Sequence, residues 1–366
     1  MGQPKRILHI VSSMNRGGIE NAIMNYFRHI DRDRIQFDFL LEKQAKGEFE
    51  DEIIALGGRI YKNSLNNPLK YLWNLNKFLK QHKEYSIIHA HHLPWAAIPL
   101  AFSKFHGVNH RICHIHFASN PVTHKQVKSI LHKIVPKFST HYFSCGEYAG
   151  KRYYGDKIIN SGAYRIIPNS ININRYAYNE SVRKEYRRKL QIADDELIIG
   201  QVGRISFIKN HKFALEVVRE MVNLGHKIKF LIVGDGEMSA EIKQYAGQLG
   251  VSDYCLFVGS VANPEDYMQA MDALIFPSFK EGLGMVAIEA QTAGLKCFVS
   301  DGVPQEVKRT DLVTFLPLSQ GAKYWAETIL KGMPYTRNSH ADEIVAAGFE
   351  IKEATKQLQD FYLNLK

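Results

Sequence analysis

Residues 273–294 read Ala-Leu-Ile-Phe-Pro-Ser-Phe-Lys-Glu-Gly-Leu-Gly-Met-Val-Ala-Ile-Glu-Ala-Gln-Thr-Ala-Gly. The apolar run Ala273 to Phe276 reads as a buried strand, and a Pro-Ser turn follows. Gly282 and Gly284 then open a helical pattern over Met285–Ala293. A strand that turns into a helix through glycines is the repeating unit of a parallel sheet. Such a helix start, Gly282-Leu283-Gly284, leaves N–H groups free at its positive end, where a phosphate or diphosphate fits. Glu281 stands just before this helix, and Glu289 lies eight positions on. On a mostly helical path the two carboxylates are roughly 12 Å apart, too far to share one proton or one metal. That spacing suits the two ends of one elongated ligand, such as the sugar and the ribose of a sugar nucleotide. Each Glu alone also has an ordinary reading, as a dipole partner of a helix start or as part of a solvated helix face.

The alternation extends in both directions. Strand-like runs occur at 6–11, 37–41, 87–90, 111–115, 141–144 and 165–167, with helical patterns at 20–29, 47–55, 68–81 and 124–135 between them. After a polar, charged stretch the pattern restarts at 197–203 and continues to 299. At 366 residues the chain is too long for one core. The expectation is therefore an α/β protein of two doubly wound, Rossmann-like domains facing across a cleft. The first spans 1–172 and is joined by a linker over 173–195, with a short helix at 181–190, to the second at 196–345. The tail, 346–366, ends in an amphipathic helix. Ligands of such sheets bind at the carboxyl ends of the strands.

Charge is unevenly spread. Residues 1–172 hold 24 Lys and Arg against 12 Asp and Glu, while the remainder holds 23 against 25. The stretch 85–146 has no acidic residue and carries ten of the 16 histidines. This bias predicts an anionic partner on the first half: nucleic acid, acidic lipid or a phosphate-bearing substrate. No aromatic platform or recognition-helix motif supports nucleic acid. Four scattered cysteines without a Cys-x-x-Cys pair fit a reduced protein with no disulfide frame or zinc knuckle. No secretory signal and no membrane-spanning run is visible.

Further candidate groups lie at other strand ends. Gly203-Arg204 closes a strand, and Lys209 follows; two cations there can neutralise a diphosphate. Gly234-Asp235-Gly236 half-matches a dinucleotide fingerprint, but Ser239 stands where its third glycine belongs. Gly17-Gly18 opens the first helix and permits close backbone approach. His89, His91 and His92 end one strand, and His114 and His116 end another, on one side of it. No cysteine or carboxylate in those segments completes a metal site, so none is expected, and His116 reads as a hydrogen-bond donor to a ligand. Asp31-Arg32-Asp33 spells Asp-x-Asp, but a helix-ending turn explains it. The stretch 124–135 sets Val127, Ile130, Leu131 and Ile134 on one face, with Lys125, Lys128, His132 and Lys133 around it. Such a helix can lie on anionic lipid or pack as an ordinary core helix.

The ordered set resembles the retaining GT-B glycosyltransferases of family four, most closely their exopolysaccharide and capsular polysaccharide branch. It comprises Gly17-Gly18, His116, Pro168-Asn169-Ser170, Gly203-Arg204 with Lys209, Gly234-Asp235-Gly236, Phe257-Val258-Gly259, and Glu281 with Glu289. The resemblance implies a nucleotide-diphosphate sugar, probed first as a UDP-sugar, held mainly by the second domain, and no metal or other cofactor. It places Glu289 on the ribose, Glu281 on the donor sugar, and Arg204 and Lys209 on the diphosphate. Gly282, Leu283 and Gly284 offer backbone N–H groups, and Val258 meets the base. Gly17 and Gly18 face the diphosphate, and His116 the donor sugar or the acceptor. The resemblance also places the final helix, within 346–366, back on the first domain. Separately, the basic first half, with its acid-free stretch 85–146, suggests an anionic, lipid-linked glycan as acceptor, and the expectation is a cytoplasmic enzyme peripheral on the inner face of the cell membrane. A nucleotide-sugar epimerase and a non-catalytic partner of a transferase remain the alternatives. Ser170-Ile171-Asn172 departs from the glycine and aspartate common after this Pro-Asn turn.

Overall fold

The computed structural model describes residues 3–91, 95–116 and 125–365, without the side chains of 125–130 and 132. The chain divides into two units, Met1–Ile171 with Glu350–Lys366, and Asn172–Phe349.

Among the described residues the first unit holds seven strands: β1 (Lys5–Val11), β2 (Ile35–Leu41), β3 (Ile60–Lys62), β4 (Ile87–Ala90), β5 (His110–Ile115), β6 (His141–Ser144) and β7 (Tyr164–Ile166). They pair in parallel in the order β3-β2-β1-β4-β5-β6-β7. Helices cover both faces, so strand β2 is buried at every position rather than at alternate ones. Ile7, Phe37, Ile87 and Phe143 feed the core on one face, and Leu8, Leu40, Ile88 and Cys113 the core on the other. Each fully buried side chain of this size contributes about 1.5–3 kcal/mol. Helix starts follow local chemistry: Asn67 accepts from Lys70 N–H at 3.0 Å, and Pro68 occupies the first turn of Pro68–Gln81.

The closing helix Ile351–Asn364 packs in this first unit. Ile351, Ala354, Leu358 and Tyr362 recur at helical spacing and enter its core. Lys5 Nζ donates to the Tyr362 and Leu365 carbonyls at 3.1 and 2.7 Å, which ties down the helix end where carbonyls lack partners.

The second unit holds six parallel strands: β8 (Leu197–Val202), β9 (Ile228–Val233), β10 (Cys255–Gly259), β11 (Ala273–Phe276), β12 (Lys296–Ser300) and β13 (Val313–Leu316), in the order β10-β9-β8-β11-β12-β13. Strand order reverses between β8 and β11, and ligands of such sheets bind beyond the carboxyl ends at that point. The loop after β8 carries Arg204 and Lys209, and the loop after β11 carries Glu281.

The stretch 173–195, expected as a linker, is instead part of the second unit. It forms helices Ile173–Tyr176 and Glu180–Lys189. Arg183 and Arg187 within it are not a solvated face. Arg187 donates to Asp272 at 3.2 Å and to the Ala193 and Glu196 carbonyls, and Arg183 takes the same Asp272 with three carbonyls. A planar fork of donors lets charged residues pack as structure. Strands β3 and β13 and the helices Ala97–Phe105, Glu147–Tyr154 and Gly321–Lys331 were not anticipated either.

Candidate functional site

At the end of β8, Gly203 and Gly234 approach so closely that a Cβ on Gly234 would lie 2.1 Å from the Gly203 carbonyl oxygen. Gly234 has φ +139°, so it serves the contact between β8 and β9. The partial dinucleotide fingerprint after it closes on itself, because Ser239 Oγ accepts from Gly236 N–H at 3.0 Å and bonds Asp235.

The chain then makes a 3₁₀ turn, Phe207–Lys209. Lys209 Nζ lies 2.8 Å from Glu281 Oε1 and 4.7 Å from the centre of the Phe276 ring. Both partners are largely shielded from solvent. The loops that carry them are joined by Phe279 N–H, which donates to the Ile208 carbonyl at 2.9 Å. Arg204, expected beside Lys209 on one diphosphate, is mostly exposed and pairs with Glu237 at 2.9 Å. In this state each cation therefore has its own carboxylate.

Gly284 sits in the left-handed region at φ +90° and starts the helix Met285–Thr292 with no side-chain cap. Its first-turn N–H groups are therefore uncapped by side chains, as a phosphate site requires. Leu283 is buried, while Gly282 is partly accessible. Glu289 projects from the middle of this helix. Burial pushes its carboxyl up to about 7, and the neighbouring Glu265 adds to the rise. Tyr176, Lys209 and Arg175 oppose the shift, Tyr176 through a hydrogen bond. Tyr176 and the Arg175–Glu265 pair come from the stretch expected as linker and from Pro264–Ala270, and no motif announced them. Val258 lies at a register break in β10, where Phe257 pairs with Ile232 but Gly259 with Val233. A bulge of this kind frees its extra residue from the ladder.

Gly17, Gly18 and His116 belong to the first unit. Gly17 precedes the helix Gly18–His29 with no side-chain cap. His116 differs from its expected role as a donor to a ligand, because both ring nitrogens are engaged inside the protein. Its Nδ1 lies 3.2 Å from Asn169 Oδ1 and its Nε2 2.8 Å from His91 Nδ1. With the Asn169 oxygen accepting, His116 carries its proton on Nδ1, so Nε2 accepts from His91. His91 Nε2 in turn accepts from His9 Nδ1 at 2.9 Å, and His9 Nε2 is left without a partner. A second chain runs from Tyr362 OH through His89 to His114 at 2.6 and 3.2 Å. Burial holds His9 down to about 3 and His116 to about 4, and keeps His89, His91 and His114 well below the usual range.

Two triads of these histidines, 9/89/91 and 91/114/116, each gather ring nitrogens within 4.8 Å. Most of those nitrogens are already paired with one another, so a metal would have to break hydrogen bonds to enter. Asp31 closes a turn by accepting from Asp33 N–H at 3.1 Å, as its ordinary reading expects. His92 and the Lys125, Lys128 and His132 side chains of the expected basic face lie outside the described residues. A helix does run over Lys125–Phe138. Among the described residues no helix is long and apolar enough to cross a membrane.

Two tandem units, each a doubly wound parallel sheet, place the chain in the GT-B class of fold. Residues 16–175 match the family model "Glycosyltransferase Family 4", and residues 182–309 match "Glycosyl transferases group 1". EpsF of Bacillus subtilis (strain 168) is 32% identical over 98% of this chain and 96% of its own length. The chain thus belongs to the group 1 glycosyltransferases, with a family 4 amino-terminal region and the GT-B fold class. The capsular polysaccharide biosynthesis glycosyltransferase CapH of Staphylococcus aureus is 25% identical over 98% of this chain and 99% of its own. Anabaena HepE, solved in complex with UDP, superposes with a TM-score of 0.81 at 18% identity, covering 98% of this chain and all of that one.

Proposed function

We propose that this chain is a retaining, metal-independent transferase. It moves a hexose or N-acetylhexosamine from a UDP-sugar to a hydroxyl of a lipid-linked glycan during surface polysaccharide synthesis. The observation that carries the reading is the Lys209–Glu281 pair with Glu289 on the following helix, inside the group 1 match. The relatives support the setting: EpsF and CapH span nearly the whole chain. An Escherichia coli enzyme named UDP-Gal:alpha-D-GlcNAc-diphosphoundecaprenol alpha-1,3-galactosyltransferase is 26% identical over 65% of this chain and 63% of its own.

In this reading Glu289 accepts from the ribose hydroxyls and Glu281 from the donor sugar. Lys209, released from Glu281 by the incoming ligand, takes the diphosphate with Arg204 and the uncapped N–H groups after Gly284. Val258 meets the base. Gly17 and Gly18 face the phosphates from their helix start, and His116 positions Asn169 and its turn. The bond between the anomeric carbon and the diphosphate oxygen breaks as positive groups draw off the developing charge. The acceptor oxygen then bonds that carbon from the same face, and its proton passes to the departing phosphate.

The test is a panel of UDP-, GDP- and ADP-sugars with and without a lipid-diphosphate glycan. Transfer from a UDP-sugar, unchanged by a chelator and giving the donor's own anomeric configuration, is the expected result. Donor conversion that needs no acceptor would instead make the chain an epimerase, and binding without turnover would make it a partner subunit.

A further inference from the structure

A buried histidine that none of these steps uses stands at the start of the helix His211–Asn223. His211 is 2% exposed, and neither ring nitrogen has a hydrogen-bond partner. Two other polar groups at the same turn are also unpaired, Gln201 Oε1 and Ser278 Oγ. Gln201 is fixed there because its Nε2 donates to the Lys209 carbonyl at 2.8 Å. Ser278 is brought near because Asn210 Nδ2 donates to the adjacent Pro277 carbonyl at 3.2 Å. Among the described residues, four of the ten buried side-chain atoms without a partner thus gather around Lys209-Asn210-His211. Buried polar groups are ordinarily paired, and a cluster that is not calls for a missing partner.

The helix start has the same property. Asn210 precedes it in the left-handed region, φ 53°, and no side chain caps the first-turn N–H groups. Helical side chains lean toward the amino terminus, so the imidazole of the first residue projects past the start of the helix toward Lys209. The Lys209 ammonium is near enough to join burial in lowering its pKa to about 4, and the ring is neutral, with one N–H to donate.

We infer that the turn Lys209–His211 is the floor of the diphosphate site, and that His211, Ser278 and Gln201 find their partners in the donor's phosphates and the water these carry. The inference rests on the donor reading above and extends it by three residues. The imidazole N–H, the serine hydroxyl and the first-turn amides are donors, as an anion requires. Gln201 Oε1 is an acceptor and suits a bridging water.

Calorimetric titration with UDP and with uridine, which lacks phosphates, tests it on the full chain. His211→Leu should weaken UDP about tenfold or more and leave uridine unchanged. Without ligand it should melt at a higher temperature than the wild type, since an unpaired buried group has gone. His211→Gln should recover part of the UDP affinity. If His211→Leu does not fold, Ser278→Ala and Gln201→Leu carry the same comparison. Unchanged UDP binding overturns the inference, as does an equal loss for UDP and uridine with a lower melting point. A wild-type protein that binds no UDP removes the donor reading and this inference together, whereas UDP binding that ignores His211 removes this inference alone.

Discussion

At Glu289 stability and ligand binding pull in opposite directions. Its carboxyl is pushed up to about 7 from an ordinary 4.5, with burial the largest cause. Between those values the folded chain holds a proton that the unfolded chain has lost, so stability falls as pH rises from about 4.5 to 7. The cost at pH 7.5 is on the order of 2–3 kcal/mol. Glu289→Gln should remove it, giving a higher urea midpoint at pH 7.5 than at present and no fall in that midpoint as pH rises over this window. The same change should weaken UDP binding if the proposed role of Glu289 on the ribose hydroxyls holds, since the carboxylate has become an amide. A lower midpoint with intact nucleotide binding would show that Glu289 is a structural residue. Lys209→Ala isolates the other end. Removing a cation from a developing diphosphate charge should raise the barrier by about 2–4 kcal/mol, roughly 30- to 1,000-fold in single-turnover rate. Full turnover would put the diphosphate elsewhere.

At the scale of elements, spacing carried information where one element supplied both partners. Glu281 and Glu289 lie before and within one helix, and Lys209 follows one strand end, so the sequence singles out all three as candidates. Tyr176 escaped because it reaches Glu289 from a four-residue helix with no period to detect. The histidine chains escaped for a related reason. Alternation puts His114 and His116 on one face, but only the β1-β4-β5 order brings His9 and His91 against them. These strands carry a pH liability. Each buried histidine is held below its usual 6.5, so the unfolded chain binds protons that the folded one refuses. Their stability is complete above about 6.5 and is lost as pH falls toward 4, by about 1 kcal/mol per histidine per pH unit. Urea melts at pH 7.5, 6.5 and 5.5 should show an early transition that moves to lower urea with acid. Trp325, fully buried in the second unit, should report a later transition that moves less, because Glu289 and His211 shift it in opposite directions, in a Trp73→Phe, Trp95→Phe background. Parallel movement of both transitions would assign the acid sensitivity elsewhere.

For the whole molecule, the informative quantity is where charge falls. The first unit, final helix included, holds 27 Lys and Arg against 15 Asp and Glu, and the second 20 against 22. The alternation of strands and helices made the two sheets legible, whereas the boundary at 171 was obscured by arginines that pack against carbonyls instead of facing water. Composition alone located the basic half. A surface of this sign attracts anionic lipid by about 1 kcal/mol for each basic residue near the headgroups, over a Debye length of about 10 Å at 0.1 M salt. Flotation with vesicles of phosphatidylglycerol and phosphatidylcholine should carry the protein up at low salt. Binding should fade as salt rises and be absent on phosphatidylcholine alone. Because the second unit is near neutral, reversing charges there should leave flotation unchanged, while Lys133→Glu with Lys137→Glu should reduce it. Equal recovery on both vesicle types, or no recovery at any salt, would separate the basic unit from the membrane and leave its charge to the acceptor.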